Sequence, residues 1–366
     1  MSVRDSILIV ADGLPAGGTE RQIVEMLRGF EGHPHFRVGL CILRRGGQRE
    51  PQARKHAGFI AEYPKGFWAE PWALLSFVQW IKKEKVQVLH SFGARSDWVS
   101  ILAAKLSGAA VINGSIRSAR PRLNRIDIVC RLSMPWADRI IANSRAGLDA
   151  FGLQRHPKAK VIYNGIDFRR FRRWQSTDAE PGRICMVANF SRKKDQPSLI
   201  KAVEMVRQKQ PQVKLTLVGR GGKRLAYCKA LIRERRLDHV VEIVSDCNDP
   251  EPLIAKSELG VLVTSLENHG EGISNAIMEY MALGKPVLAN NSGGNREVIL
   301  DHVTGLLIDD NNPRTIASAL NFLLERPEQM REMGRRGKSR IRERFDIESM
   351  ISSYEALYRD VLQKDG

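Results

Sequence analysis

Short apolar runs alternate along the chain with stretches whose apolar residues recur every three or four positions, and the two periods read as strands and helices. In the first half this pattern predicts strands at 7–11, 38–43, 86–89, 111–113 and 139–142. Helical stretches lie between them at 20–30, 72–83 and 98–106, the first with Ile23, Met26, Leu27 and Phe30 at helical spacing. Such alternation argues for a parallel, doubly wound sheet. Residues 167–182 break the rhythm. They are polar, basic and punctuated by Pro181 and Gly182, which suits an interdomain linker. The alternation restarts with strands at 184–189, 214–219, 241–244, 259–264 and 286–289 and helices at 197–209, 224–235 and 275–283. A closing stretch at 347–363 sets Met350, Ile351, Tyr354, Leu357, Tyr358 and Leu362 on one side. The expected fold is α/β. Two Rossmann-like, doubly wound domains occupy 1–167 and 183–346, a linker runs over 168–182, and a helix at 347–366 packs back toward the first domain.

Composition narrows the class. A chain of 366 residues is too long for one ordinary core, and 43% hydrophobic with 27% charged residues describes a globular protein. The longest uncharged apolar-rich run, 71–81, falls short of the roughly 18–20 residues that span a bilayer. The five cysteines are odd in number, scattered and never spaced as CxxC, which points to a reducing compartment and away from a zinc site. A cytoplasmic location is the expectation. The net charge of +17 is uneven: residues 1–160 hold 25 basic and 13 acidic residues, a net of +12. A basic first half suits an anionic partner, such as a phospholipid surface or a phosphorylated glycolipid, or else a merely solvated surface. Nucleic acid is not expected, since no zinc-finger, RNP or helix-turn-helix signature is present.

Chemistry is expected on loops that follow strands, where open α/β sheets bind ligands. After the first strand, Gly17 and Gly18 precede a helix, and adjacent glycines let a phosphate approach main-chain N–H groups; a tight turn is the plainer reading. The matching loop of the second domain carries Arg192, Lys193, Lys194 and Asp195, and three consecutive cations can neutralise a pyrophosphate. A later loop holds Gly270, Glu271 and Gly272, with Ser274 placed to cap the next helix. Backbone N–H groups from Gly272 through Ile273 and Ser274 suit an anion, while Glu271 and Glu279 suit sugar and ribose hydroxyls. His90, at the end of the strand 86–89, is a further candidate.

Taken together these residues resemble a family-4 retaining glycosyltransferase of the GT-B fold, over nearly the whole length. The resemblance rests on Gly17-Gly18-Thr19-Glu20, His90, Asn143-Ser144, the run 162–167, Leu217-Val218-Gly219, and Glu271 spaced eight residues from Glu279. The segments 282–287 and 293–297 extend it. It implies two domains facing a central cleft, the first binding the acceptor and the second a nucleotide-sugar donor. It also implies that Glu271 and His90 touch the transferred sugar, that Glu279 holds the ribose, and that Gly272–Ser274 and Lys194 bind the phosphates. Gly17 and Gly18 would line the junction of donor and acceptor. At the family's arginine position this chain has Asn189, and Arg192 lies three residues on.

No two aspartates are spaced as Asp-x-Asp, so no metal or other cofactor is expected and the cations are left to offset the leaving-group charge. The acceptor is expected to be a glycan or lipid-linked molecule of cell-surface polysaccharide or lipopolysaccharide synthesis. Arg117, Arg120, Arg122 and Arg125, with Trp68 and the aromatic-rich 71–80, form the expected acceptor or anionic-membrane surface. The alternatives are a nucleotide-sugar epimerase of the same fold and a basic nucleic-acid-binding protein.

Overall fold

The structure, a computed structural model, describes residues 4–63, 70–247, 249–267 and 269–363. Trp68 lies outside the described residues. The chain divides into two compact units. The first comprises Met1–Arg117, Arg122–Gly165 and Ile347–Gly366; the second comprises Ser118–Pro121 and Ile166–Asp346.

In the first unit the described strands are β1 (Asp5–Ala11), β2 (Phe36–Ile42), β3 (Ile60–Ala61), β4 (Val86–Phe92), β5 (Ala110–Ile116), β6 (Arg139–Ala142) and β7 (Ala159–Val161). They pair in parallel in the order β3-β2-β1-β4-β5-β6-β7. Strand β1 reads as an unbroken apolar run because both its faces are covered. Ile7, Ile9 and Ala11 enter one core and Leu8 and Val10 the other. The helix Gly18–Gly29 covers one face together with the C-terminal helix Ile347–Leu362, whose Met350, Tyr354, Leu357, Tyr358 and Val361 join Phe30 and Phe36. That helix belongs to the first unit.

The second unit repeats the plan with β8 (Arg183–Val187), β9 (Lys214–Val218), β10 (Val241–Val244), β11 (Leu259–Leu262), β12 (Val287–Asn290) and β13 (Gly305–Ile308). Their parallel order is β10-β9-β8-β11-β12-β13. Each sheet therefore reverses its strand order beside its own first strand, between β1 and β4 and between β8 and β11. Loops leaving the carboxyl ends at such a reversal diverge and open a crevice for ligands.

Several elements depart from expectation. The segment 168–182 begins with a 3-10 helix, Phe168–Trp174, whose Phe171 is fully buried. Strand β4 extends past residue 89 to Phe92, which sets His90 inside the strand. Helices Arg125–Ser133, Pro313–Leu324 and Pro327–Arg344 were not foreseen.

Candidate active site

In the second unit the loops after β8 and β11 are joined to each other. Lys194 bridges Thr264 in antiparallel fashion, and the Asp195 N–H donates to the Val263 carbonyl at 3.1 Å. Asp195 caps the helix Gln196–Val206, accepting from Ser198. This fixes Lys194 where its ammonium pairs with the Glu271 carboxylate. His269 contacts the same carboxylate through Nε2 at 3.1 Å. Burial alone would push the Glu271 carboxyl up, but the Lys194 charge and the His269 bond outweigh it and hold it well below the usual carboxylate range. Glu271 is thus a fixed anion and not a proton donor at neutral pH.

The Glu271 backbone is cradled by two glycine-lined approaches. Its carbonyl accepts from the Gly294 N–H at 2.9 Å, and a Cβ on Gly293 would lie 2.3 Å from that carbonyl oxygen. On the other side Ser118 bridges Glu271, the Ala119 N–H donates to Gly270, and a Cβ on Gly270 would lie 1.7 Å from the Ala119 oxygen. Gly272, Ile273 and Ser274 are buried at the start of the helix Asn275–Ala282. Ser274 stands at the N-cap but makes no side-chain capping bond, contrary to expectation, so its position leads the backbone into the helix without closing it off.

Glu279 lies on that helix, 2% exposed, beside Arg170 at 3.3 Å. The same guanidinium bonds Glu251 at 2.5 Å. Sequence reasoning missed Arg170, because it falls in a stretch that reads as linker; its only signal was the density of arginines there. Arg192 is exposed and lines a cavity of about 520 Å³ with Asp195, Arg224, Ser265, Glu267 and Asn311. Asn189, which the resemblance sets at an arginine position, accepts from the Arg220 N–H at 3.2 Å.

In the first unit Gly17 caps the helix Gly18–Gly29, and Gly18 is exposed. Glu20 folds back over Gly17, and burial raises its carboxyl against the pull of Arg49 and Arg117. His90 is fully buried and joined through Nδ1 to the Tyr358 hydroxyl at 3.0 Å. Burial, then the nearby Arg117 charge, keeps it neutral. Behind it Asp97 accepts from Ser91 at 2.6 Å and from Ser115 at 2.7 Å. Burial pushes its carboxyl up to about 7.

The four arginines expected at the acceptor or membrane surface have different settings. Arg117 is half-buried, bonded to Gly114, Asn164 and Tyr354 and stacked on Phe92, because it joins the C-terminal helix to the sheet. Arg120 belongs to the second unit with the strip that braces Glu271. Arg122 and Arg125 are exposed on the first unit.

Comparison with known proteins fits this geometry. A family model for glycosyl transferases group 1 matches residues 167–340, and one for glycosyltransferase family 4 matches residues 16–170. The two matches meet head to tail, and the chain belongs to this glycosyltransferase family. It is 28% identical over 216 residues to the N-acetyl-alpha-D-glucosaminyl L-malate synthase of Bacillus anthracis, covering 56% of this chain and 55% of that protein. The match thus spans about half the relative's length. Anabaena HepE superposes with a TM-score of 0.84 over 97% of this chain and 100% of its own, at 19% identity. Sucrose-phosphate synthase of Thermosynechococcus elongatus gives 0.80 at 18% identity over 99% and 100%. The fold is the GT-B class with two parallel-sheet Rossmann-like domains.

Proposed function

We propose that the protein transfers a sugar from a nucleotide-diphosphate sugar, UDP- or GDP-linked, to a glycan or lipid-linked acceptor in cell-surface polysaccharide or lipopolysaccharide synthesis. The observation that carries this reading is the Lys194–Glu271–His269 cluster at the β8/β11 strand-order reversal, with Glu279 on the following helix. A fixed carboxylate beside a lysine matches a donor that offers sugar hydroxyls and a diphosphate together. HepE was solved with UDP and with UDP-glucose, which favours uridine as the base.

In this mechanism Lys194 exchanges Glu271 for the donor phosphate, and Glu271 then accepts from sugar hydroxyls. Glu279 binds the ribose, and the backbone at Gly272–Ser274 faces the phosphates. As the bond from the anomeric carbon to the phosphate oxygen breaks, charge grows on the leaving diphosphate. Lys194 and the helix start at Asn275 offset it, a type of preorganised stabilisation worth about 3–4 kcal/mol per donor. The acceptor oxygen bonds the anomeric carbon from the same face and its proton passes to the departing phosphate, so configuration is retained. We assign no general base among the side chains and no metal.

The test is thermal-shift screening with UDP-, GDP- and ADP-sugars, followed by NMR of the best binder with and without candidate acceptors. Transfer that is unchanged by EDTA and keeps the anomeric configuration is the expected result. Conversion of the nucleotide sugar to its epimer with no acceptor present would instead make the protein an epimerase. We further infer that the first unit meets the acceptor at an anionic membrane surface, as a peripheral protein; among the described residues no helix is long and apolar enough to cross a membrane.

A further inference from the structure

The helix Arg125–Ser133 is amphipathic in the reverse of the usual sense. Its inward residues are polar or small: Asp127, Cys130 and Ser133 are buried, and Ser133 bonds Asn113 and reaches Asp97. Its outward residues are aliphatic, with Ile126 64%, Ile128 46%, Val129 40% and Leu132 58% exposed. The neighbouring helix Ala94–Ser107 packs against it and adds exposed Leu102 and Leu106. Trp136 follows, half exposed, tilted against Trp98 at 5.5 Å and lying under the Lys105 ammonium at 5.8 Å. A surface helix of a water-soluble face normally carries its polar stripe outward.

The exposed charges of the two helices have one sign. Arg95, Lys105, Arg125 and Arg131 are exposed, with Arg122 in the loop before the second helix, whereas the acids of the two helices, Asp97 and Asp127, are both buried. Aliphatic side chains flanked by cations and tryptophans, with both acids of the two helices turned inward, match the interface of an anionic bilayer: the apolar groups enter the acyl boundary and the cations stay at the headgroups. We propose that this face, centred on Ile128, Val129 and Leu132, seats the protein on an anionic lipid bilayer. The proposal rests on the peripheral location inferred above and names the surface responsible. It places that surface on the two helices and the loop before the second, where only Arg122 and Arg125 were foreseen.

The experiment is co-sedimentation of the full chain with phosphatidylcholine–phosphatidylglycerol vesicles and with pure phosphatidylcholine vesicles, for wild type and for the double variant Ile128→Glu, Leu132→Glu. Both positions are solvent-exposed, so the variant keeps its fold, which nucleotide-sugar thermal shift checks. Wild type is expected to bind the anionic vesicles at low salt and release as salt rises. The variant is expected to lose about 10-fold or more of that binding with its donor shift intact. Equal binding by wild type and variant would overturn this face while leaving the peripheral location standing. No binding of wild type to either vesicle would overturn both. A wild-type dimer dissociated by the substitutions, with no vesicle binding, would make the face a contact between copies and overturn the proposal.

Discussion

Lys194 and Glu271 each neutralise a charge that has largely left water, their side chains being 16% and 15% exposed. Lys194→Ala leaves Glu271 with His269 alone; Glu271→Ala leaves the ammonium without that anion. In urea denaturation a double-mutant cycle is expected to show a coupling of about 0.5–3 kcal/mol. Transfer is expected to fall by at least ~100-fold in either single variant at saturating donor, with the far-UV spectrum unchanged. Wild-type turnover in either would remove the mechanism. Asp97 offers a pH test. Its folded pKa, about 7, stands above the ordinary aspartate range, so between the two the folded state holds a proton that the unfolded chain has lost. Stability from this group is complete at acid pH and is lost as pH rises toward 7, at up to about 1.4 kcal/mol per unit. The stability of Asp97→Asn relative to wild type should therefore rise between pH 5 and pH 7; a constant difference would refute the assignment. Lys194 and Glu271 were legible from the sequence because each follows a strand in a loop with its own charge pattern. Arg170, His269 and the inward turn of Arg117 were not, since their partners lie far along the chain or in a loop without periodicity.

At the scale of elements, the donor loop depends on backbone contacts that admit no side chain. Gly293 has φ +55° and Gly270 meets a carbonyl from the strip Ser118–Pro121, so a methyl at either forces main chain apart. Gly270→Ala and Gly293→Ala should each cost about 1–3 kcal/mol of stability. The larger effect is on catalysis, because a shift of about 1 Å in Glu271 can cost ~100-fold in rate. Comparison of kcat/KM with melting temperature separates the two effects. If activity dropped only in proportion to unfolded protein, the cradle would be structural alone. Some of the elements that escaped prediction have separate causes. The helix Pro327–Arg344 buries Met330, Met333, Gly334, Gly337 and Ile341, and two glycines in that stripe blank its apolar period. Gly334 is needed because its Cβ would meet the Gly284 carbonyl oxygen at 2.0 Å. Strands β3 and β7 are edge strands of two and three residues, too short to show alternation.

At the scale of the molecule, the two units repeat one strand order, yet the chain crosses between them more than once. The last residues return to the first unit, and the strip Ser118–Pro121 leaves it for the second. The amphipathic tail made the closing helix of the first crossing legible. The second was not, because four residues carry no period of their own. The C-terminal helix buries Ile347, Met350, Tyr354, Leu357, Tyr358 and Val361, with the Tyr358 ring 5.6 Å from Phe30 and 5.7 Å from Phe36. Burial of such side chains is worth about 1.5–3 kcal/mol each. Their sum rivals the whole stability of a typical domain, about 5–15 kcal/mol. A chain ending at Asp346 should therefore fail to hold the first unit folded, exposing His90 and the core that the helix covers. Limited proteolysis checks this: the truncated chain is expected to be cut within Met1–Gly165 under conditions where the full chain is resistant. Equal resistance of both chains would mean that the first unit's sheet is closed without its last helix, and that the His90–Tyr358 bond contributes nothing to its order.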